Sequence, residues 1–334
     1  MLLIVNYPSW IHPEIFPGVP FLSLLRWYGL MYVFAFGAAY MVLRRICREG
    51  VLGSGVVPTG DDVINCFTTG IVGLLLGARI FSALVYDTSG MYLAKPWLIF
   101  WPFDGSGHFT GLAGMSYHGG YIGGFLGILF WCLRHKQSAL KWMDALVIAI
   151  PAGYTFGRLG NFLNGELFGR ITTVPWGMLF PSARRFSLSL GWVRQFAEEA
   201  GLDIAATGGT INLPRHPSQL YEAFFEGIFL FTLLWAVRKR KPFDGFMCAL
   251  YSMGYGMVRF VIEYFREPDA EIGYRITRSA GAVTYRNESL GNISTGQILC
   301  LLMIAGGLTF LILGWRNTKK NTAIAGKRGG RSRV

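Results

Sequence analysis

Seven stretches of this chain are apolar over lengths near the roughly 20 residues that a helix needs to cross a hydrocarbon layer about 30 Å thick. They lie near residues 22–44, 63–86, 117–134, 142–158, 218–237, 244–265 and 296–315. Composition agrees: the chain is 52% hydrophobic and 15% charged, where a soluble domain carries roughly 25% charged residues. Its mean hydropathy is +0.39. The expected fold class is an all-α integral membrane protein of about seven transmembrane helices. No internal repeat is visible, so a transporter built from inverted halves gains no support. The first 25 residues hold no Lys or Arg and include Glu14. They lack the basic start of a cleavable signal peptide, and the first span is expected to serve as its own insertion signal.

Orientation follows from the cations. With the amino terminus outside, the inner segments hold Arg44, Arg45 and Arg48, then Arg134, Lys136 and Lys141, then Arg238 to Lys241, then the tail from Arg316 to Arg333. The outer segments are longer and carry fewer cations per residue, as the positive-inside rule requires. The net charge of +12 therefore reflects inner membrane boundaries and the tail "GKRGGRSRV", which suit anionic lipid headgroups better than nucleic acid. The expected organisation is a membrane domain over residues 1–316 and a basic cytoplasmic tail over 317–334. Within the former, 87–116 ("KPWLIFWPFDGSGHF") read as an aromatic arm at the headgroup level, and 165–217 as a small external head. In the head, Trp192, Val193, Phe196, Ala197 and Ala200 mark one face of a short amphipathic helix. About 50 residues build little core alone, so the head is expected to rest on the bundle or the lipid.

Cys47, Cys66, Cys132, Cys248 and Cys300 fall in or beside the spans without paired spacing and read as small apolar fillers. Three arginines within spans are more telling, because each costs roughly 2.5–3.5 kcal/mol at a span centre and needs a carboxylate, a carbonyl or an anionic ligand. Arg79 in "LLLGARIFSAL" reads as structural. Arg158 in "GRLGNFLNGELFGR" has Asn161, Asn164 and Glu166 close by, and Gly157, Gly160 and Gly165 are expected to expose backbone donors at that helix end. Tyr255, Arg259 and Glu263 are spaced by four, with Arg266 three further on, so they share one helical face. That face either cradles a phosphate or holds an internal Arg259–Glu263 pair.

The third span begins with a histidine, "YHGGYIGGFLGILFWCL". Gly119, Gly120, Gly123, Gly124 and Gly127 give GxxxG spacings that helix packing alone explains, and a lone His118 could be a structural hydrogen-bonder. Its coincidence with arginines and asparagines at one membrane depth favours a functional role.

Six segments, in order, resemble the prolipoprotein diacylglyceryl transferase family: "RWYGLMY" (Arg26–Tyr32), "SYHGGYIGG" (Ser116–Gly124), "GRLGNFLNGELFGR" (Gly157–Arg170), "RHPSQLYEAFFEG" (Arg215–Gly227), "GYGMVRFVIEYFREPD" (Gly254–Asp269) and "STGQIL" (Ser294–Leu299). Tyr121 and Thr295 depart from the pattern, and segments 102–113 and 270–293 are longer than typical. The resemblance implies an enzyme of the bacterial inner membrane, and the cation asymmetry is expected to turn His118 and the active site toward the outer leaflet. It would move diacylglyceryl from phosphatidylglycerol to the lipobox cysteine of prelipoprotein signal peptides, forming a thioether and releasing glycerol 1-phosphate.

The residues fit that chemistry. A thiol of pKa about 8.5 needs a base, and an imidazole near 6.5 is suited to the task, which makes His118 the candidate. Arg158 and Arg259 are candidates to stabilise the leaving phosphate. Asn161 and Glu166 could orient the glycerol headgroup, and Tyr28 and Tyr255 could bond the ester or phosphate region. Gly119 and Glu263 complete the expected substrate-binding set. The expected partners are phosphatidylglycerol, the signal peptides and surrounding membrane lipids, with no nucleic acid. No metal or redox cofactor is expected, since the chain has no H-E-x-x-H, no Walker loop and no spaced Cys/His set. A transporter for an anionic lipid and a non-catalytic scaffold are the rival classes.

Overall fold

The computed structural model describes residues 5–19, 22, 25–53, 57–86, 90–103, 115–204, 208–268, 273–278 and 283–331. Among these residues ten α-helices run in the order α1 (Trp27–Arg48), α2 (Gly60–Phe81), α3 (Met91–Ala94), α4 (Tyr117–Arg134), α5 (Ala139–Leu163), α6 (Gly191–Glu199), α7 (Ser218–Glu222), α8 (Leu230–Val237), α9 (Phe246–Ile262) and α10 (Thr295–Arg331). A π-helical turn, Ala223–Phe229, joins α7 to α8, and a second one, Ser82–Tyr86, extends α2. Each of the seven predicted stretches lies on a helix. Four of them, Trp27–Arg48, Gly60–Val85, Ser218–Val237 and Thr295–Lys320, are long and apolar enough to cross a membrane. α10 continues beyond Trp315 through Arg331, so the basic tail prolongs the last helix.

The chain forms two compact units, Met1–Val42 with Leu146–Val334, and Leu43–Ala145. In the second unit, α2 and α4 meet along glycines. A Cβ on Gly123 would lie 2.1 Å from the Gly73 carbonyl oxygen, one on Gly119 2.3 Å from that of Gly77, and one on Gly127 2.6 Å from that of Thr69. Only hydrogen fits there, so these glycines bring two backbones into contact, as their spacing predicts. α2 opens with a capping box in which Thr59 and Asp62 bond each other's backbone N–H. Near its other end Arg79 is buried, donating from Nε to the Ile99 carbonyl and from Nη2 to the Tyr92 hydroxyl at 3.1 Å. A carbonyl and a phenol thus accept from two of its nitrogens, contacts that fit a structural reading. Tyr92 and Ile99 belong to the arm, where Leu93, Trp97 and Trp101 are 73%, 65% and 54% exposed. The rest of the arm, 87–89 and 104–114, lies outside the described residues, as do parts of the two longer segments.

In the first unit, the head is built from short strand pairs. Strands β1 (Val5–Asn6) and β2 (Met178–Leu179) run parallel, β3 (Arg185–Ser187) and β4 (Thr210–Asn212) antiparallel, and β5 (Tyr274–Ile276) pairs with β6 (Ile293–Ser294). Alternation puts Phe186 and Ile211 on one face of the β3–β4 pair. There they pack with Leu188, Leu213, Ile171, and Val193 and Ala197 of α6. Trp192 and Phe196 close the rim, as the sequence predicts. Tyr285 stacks on Trp192 at 5.8 Å, so the segment after α9 completes this small core. Arg170, also buried, ties the head to the end of α9 by donating to the carbonyls of Arg266, Glu263 and Arg286.

Candidate functional site

α5 sets the first half of the site. It ends in a Schellman turn: Gly165 (φ +64°) donates its N–H to the Phe162 carbonyl and Glu166 donates to that of Asn161. The backbone N–H groups of Gly165 and Glu166 are thus used internally, contrary to the expectation that this end offers donors. The turn instead folds the Glu166 side chain back onto its helix, where it accepts from Asn161 Nδ2 at 3.1 Å. Asn161 Oδ1 accepts from Arg158 Nη1 at 3.3 Å. Gly160 packs on Met31 and Tyr28, and the Tyr28 hydroxyl lies 3.0 Å from that of Tyr32. Arg158, Asn161, Glu166 and Tyr28 are therefore neighbours, whereas Gly157 has open space around its Cα.

The second half comes from α7, the π turn and α9. Gly227 in the π turn sits against Thr155 of α5, where a Cβ would fall 2.1 Å from the hydroxyl oxygen. This contact sets Tyr154 and Arg158 opposite Glu222 and Glu226. Both carboxylates are buried, at 0% and 1% exposure. Glu222 Oε2 lies 3.1 Å from Arg158 Nε, 3.0 Å from Arg259 Nη1 and 3.3 Å from the Tyr154 hydroxyl. Arg259 Nη1 also reaches Glu226 Oε1 at 3.3 Å, and its Nη2 pairs with Glu263 Oε2 at 3.1 Å. Tyr154 donates to Glu226 as well. Arg266 Nε and Glu222 Oε1 face each other at 3.9 Å, and neither has a hydrogen-bond partner among the described residues.

Glu263 is anchored from α10. Ser294 and Gln297 form a capping box, Gln297 N–H donating to the Ser294 hydroxyl and Ser294 N–H to Gln297 Oε1. The same Ser294 hydroxyl donates to Glu263 Oε1 at 3.0 Å. The Tyr255 ring stands edge-on to Tyr154 at 6.3 Å and stacks on Tyr251 at 5.8 Å. The internal Arg259–Glu263 pair therefore exists, but as one contact of a larger cluster. The Arg158 and Arg259 side chains are 17% and 13% exposed. Between the rings of Tyr221 and Phe265, burial and the nearby Arg170 charge push the His216 imidazole down to about 4.

His118 and Gly119 belong to the other unit. His118 is exposed on the first turn of α4, which Ser116 caps by accepting from Gly119 N–H at 3.1 Å. Ser116 N–H donates to the Ala78 carbonyl at 2.9 Å, so the start of α4 is pinned to α2. Gly119 has its α-carbon against Gly77, a packing role.

The sequence profile of the prolipoprotein diacylglyceryl transferase family matches residues 19–313. That is most of the 334 residues. The chain belongs to this family. Relatives named phosphatidylglycerol–prolipoprotein diacylglyceryl transferase include one from Treponema denticola, 55% identical over 332 residues (96% of this chain, 97% of the relative). Another from Treponema pallidum is 50% identical over 92% and 94% of the two chains, and one from Borreliella burgdorferi 40% over 97% and 98%.

Within this member of the transferase family, Glu222 and Glu226 are the candidate residues that the sequence reading passed over. Their signal was present: two carboxylates four residues apart within one apolar span, subject to the same membrane penalty that singles out the arginines. Tyr154 gave none, being one tyrosine among fifteen.

Proposed function

We propose that this chain transfers diacylglyceryl from phosphatidylglycerol to the cysteine sulfur of a prolipoprotein signal peptide. The step forms a sulfur–carbon thioether bond and breaks the carbon–oxygen bond to phosphate. The thiol proton passes to His118, and glycerol 1-phosphate leaves. A phosphodiester of charge −1 becomes a monoester of charge −2, so groups that favour the second state accelerate the step. The observation that carries this reading is the meeting of Arg158 and Arg259, from two helices, at one glutamate oxygen. Asn161 and Glu166 are assigned to the glycerol headgroup, and Tyr28, Tyr255 and Glu263 to the walls of the lipid site, whereas Gly119 packs α4 on α2. The peptide is recognised at its lipobox cysteine.

The same proposal places seven spans in the bacterial inner membrane, amino terminus outside and basic tail in the cytoplasm. The pairing of Val5–Asn6 with Met178–Leu179 supports it, since the amino terminus and the head then share one side. The test is turnover of phosphatidylglycerol and a lipobox peptide by purified protein, followed through thioether product and released glycerol phosphate. Arg158→Lys and Arg259→Lys keep the charge but lose the planar fork, and both should lower turnover more than lipid binding. Full turnover in both variants would exclude the arginine clamp. A reporter fused after Arg316 should read as cytoplasmic and one inserted at Gly208 as external.

A further inference from the structure

Two guanidinium nitrogens that share one oxygen at 3.0 and 3.1 Å lie no more than about 6 Å apart, a distance at which like charges repel in a dry interior. Something must hold them there before any anion arrives. Among the described residues Glu222 is the one carboxylate touching both, and it is itself fully buried, with the Tyr154 hydroxyl 3.3 Å from the same oxygen. Glu226 and Glu263 contact Arg259 alone among the two. We propose that Glu222 is the positioning residue of the site. It bridges Arg158 to Arg259, fixes their forks relative to each other, and attenuates their grip on the intact phosphodiester so that affinity develops as the leaving phosphate gains charge.

The local fold is built for this. The π turn starts directly after Glu222 and contains Glu226, and its extra residue per turn re-aims the following side chains relative to a regular helix. Gly227 then admits Thr155, which brings Arg158 within reach of Glu222. Arg259 arrives from α9, whose end is tied to the head through Arg170. A bridging carboxylate also sets the net charge of the cluster: Arg158, Arg259 and Arg266 face Glu222, Glu226 and Glu263, three against three.

The inference rests on the proposed transferase reaction and is tested apart from it. Glu222→Gln keeps the shape and removes one negative charge. Turnover of phosphatidylglycerol and lipobox peptide should fall about 100-fold, while the inhibition constant for glycerol phosphate should drop at least tenfold, because the arginines are no longer neutralised. A purely structural role weakens both turnover and product binding, so unchanged or weaker inhibition would overturn the proposal. Turnover near wild type would do the same. If the Gln variant does not insert and fold, Glu222→Asp retains the charge but shortens the bridge. It should lose about tenfold in turnover with inhibition unchanged, and turnover within twofold of wild type would overturn the proposal. Arg158→Lys and Arg259→Lys at full turnover would instead refute the clamp reading itself.

Discussion

Replacing Gly123 by alanine tests how the helix bearing His118 is held. The new Cβ would sit 2.1 Å from the Gly73 carbonyl oxygen, 2.8 Å from the Gly77 α-carbon and 3.0 Å from the Gly73 carbonyl carbon. All three are backbone atoms, so no side chain can swing aside. Restoring a normal carbon–oxygen contact separates α2 from α4 by about 1 Å at this point, a gap that forfeits a quarter to a half of each affected dispersion contact. Overpacking of this kind costs about 1–3 kcal/mol, and alanine's better helix propensity returns about 1 kcal/mol, leaving a net loss of roughly 0–2 kcal/mol. Gly120, three residues earlier, is the control. A Cβ there meets Ala78 Cβ at 3.5 Å and Leu74 at 3.6 Å, ordinary contacts, so Gly120→Ala keeps the propensity gain alone. Unfolding both variants in mixed micelles of dodecyl maltoside and increasing SDS should separate them by about 1–3 kcal/mol, with Gly123→Ala the less stable. Equal stabilities, or the reverse order, would refute the backbone-contact argument.

His118→Gln should leave the protein inserted and lipid-bound but slow thioether formation by about 10²–10⁴, the usual scale of general acid–base catalysis, as read in the peptide assay. Arg79→Lys should lower folded yield with little effect on turnover per folded molecule, because one ammonium cannot reproduce the geometry that spans the Ile99 carbonyl and the Tyr92 hydroxyl. His216 predicts an acid-side loss of stability: its imidazole is held near 4 in the fold against 6.5 when unfolded, so between these values the unfolded chain binds the extra proton. Stability should therefore fall as pH drops from about 6.5 toward 4 and level off below. Denaturant midpoints across that range should lose this component in His216→Phe; an unchanged slope would remove His216 as its source.

The helices were legible because a membrane span announces itself by length alone, and the glycine seam because GxxxG spacing has few other uses. The face of α6 was legible for a similar reason, a periodic apolar stripe in a polar segment. Other features carry no local signal. Val5 pairs with Met178 across more than half the chain, and two-residue strands have no periodicity to read. The end of α5 was misjudged because glycine spacing was taken as backbone exposure. At a helix C-terminus the free groups are carbonyls, and the Gly165 turn satisfies two of them. Glu222 and Glu226 were missed because each arginine was matched to carboxylates within its own segment. The structure pairs Arg158 with Glu222, 64 positions away, and gives Glu166 to Asn161.

That exchange of partners changes the electrostatics of the proposed reaction. Had Arg158 been neutralised by Glu166 and Arg259 by Glu263 alone, the site would hold two separate ion pairs, each free to settle independently. With Glu222 shared, the two guanidinium groups act as one unit of net charge near +1 before Glu226 and Glu263 are counted, and near −1 after. Arg266, whose Nε lies 3.9 Å from Glu222 without a hydrogen bond among the described residues, brings the cluster to neutrality. A neutral cluster gives a singly charged diester little reason to bind through charge, so its apolar tails must supply most of the ground-state affinity. At an effective dielectric of about 20, one unit of charge 4 Å from a cation is worth about 4 kcal/mol, and the reaction adds one such unit on the leaving oxygen. On the proposed reaction, the balance of three arginines against three glutamates would let electrostatic stabilisation appear mainly in the transition state. Removing a glutamate should tighten product binding even as it slows the chemistry.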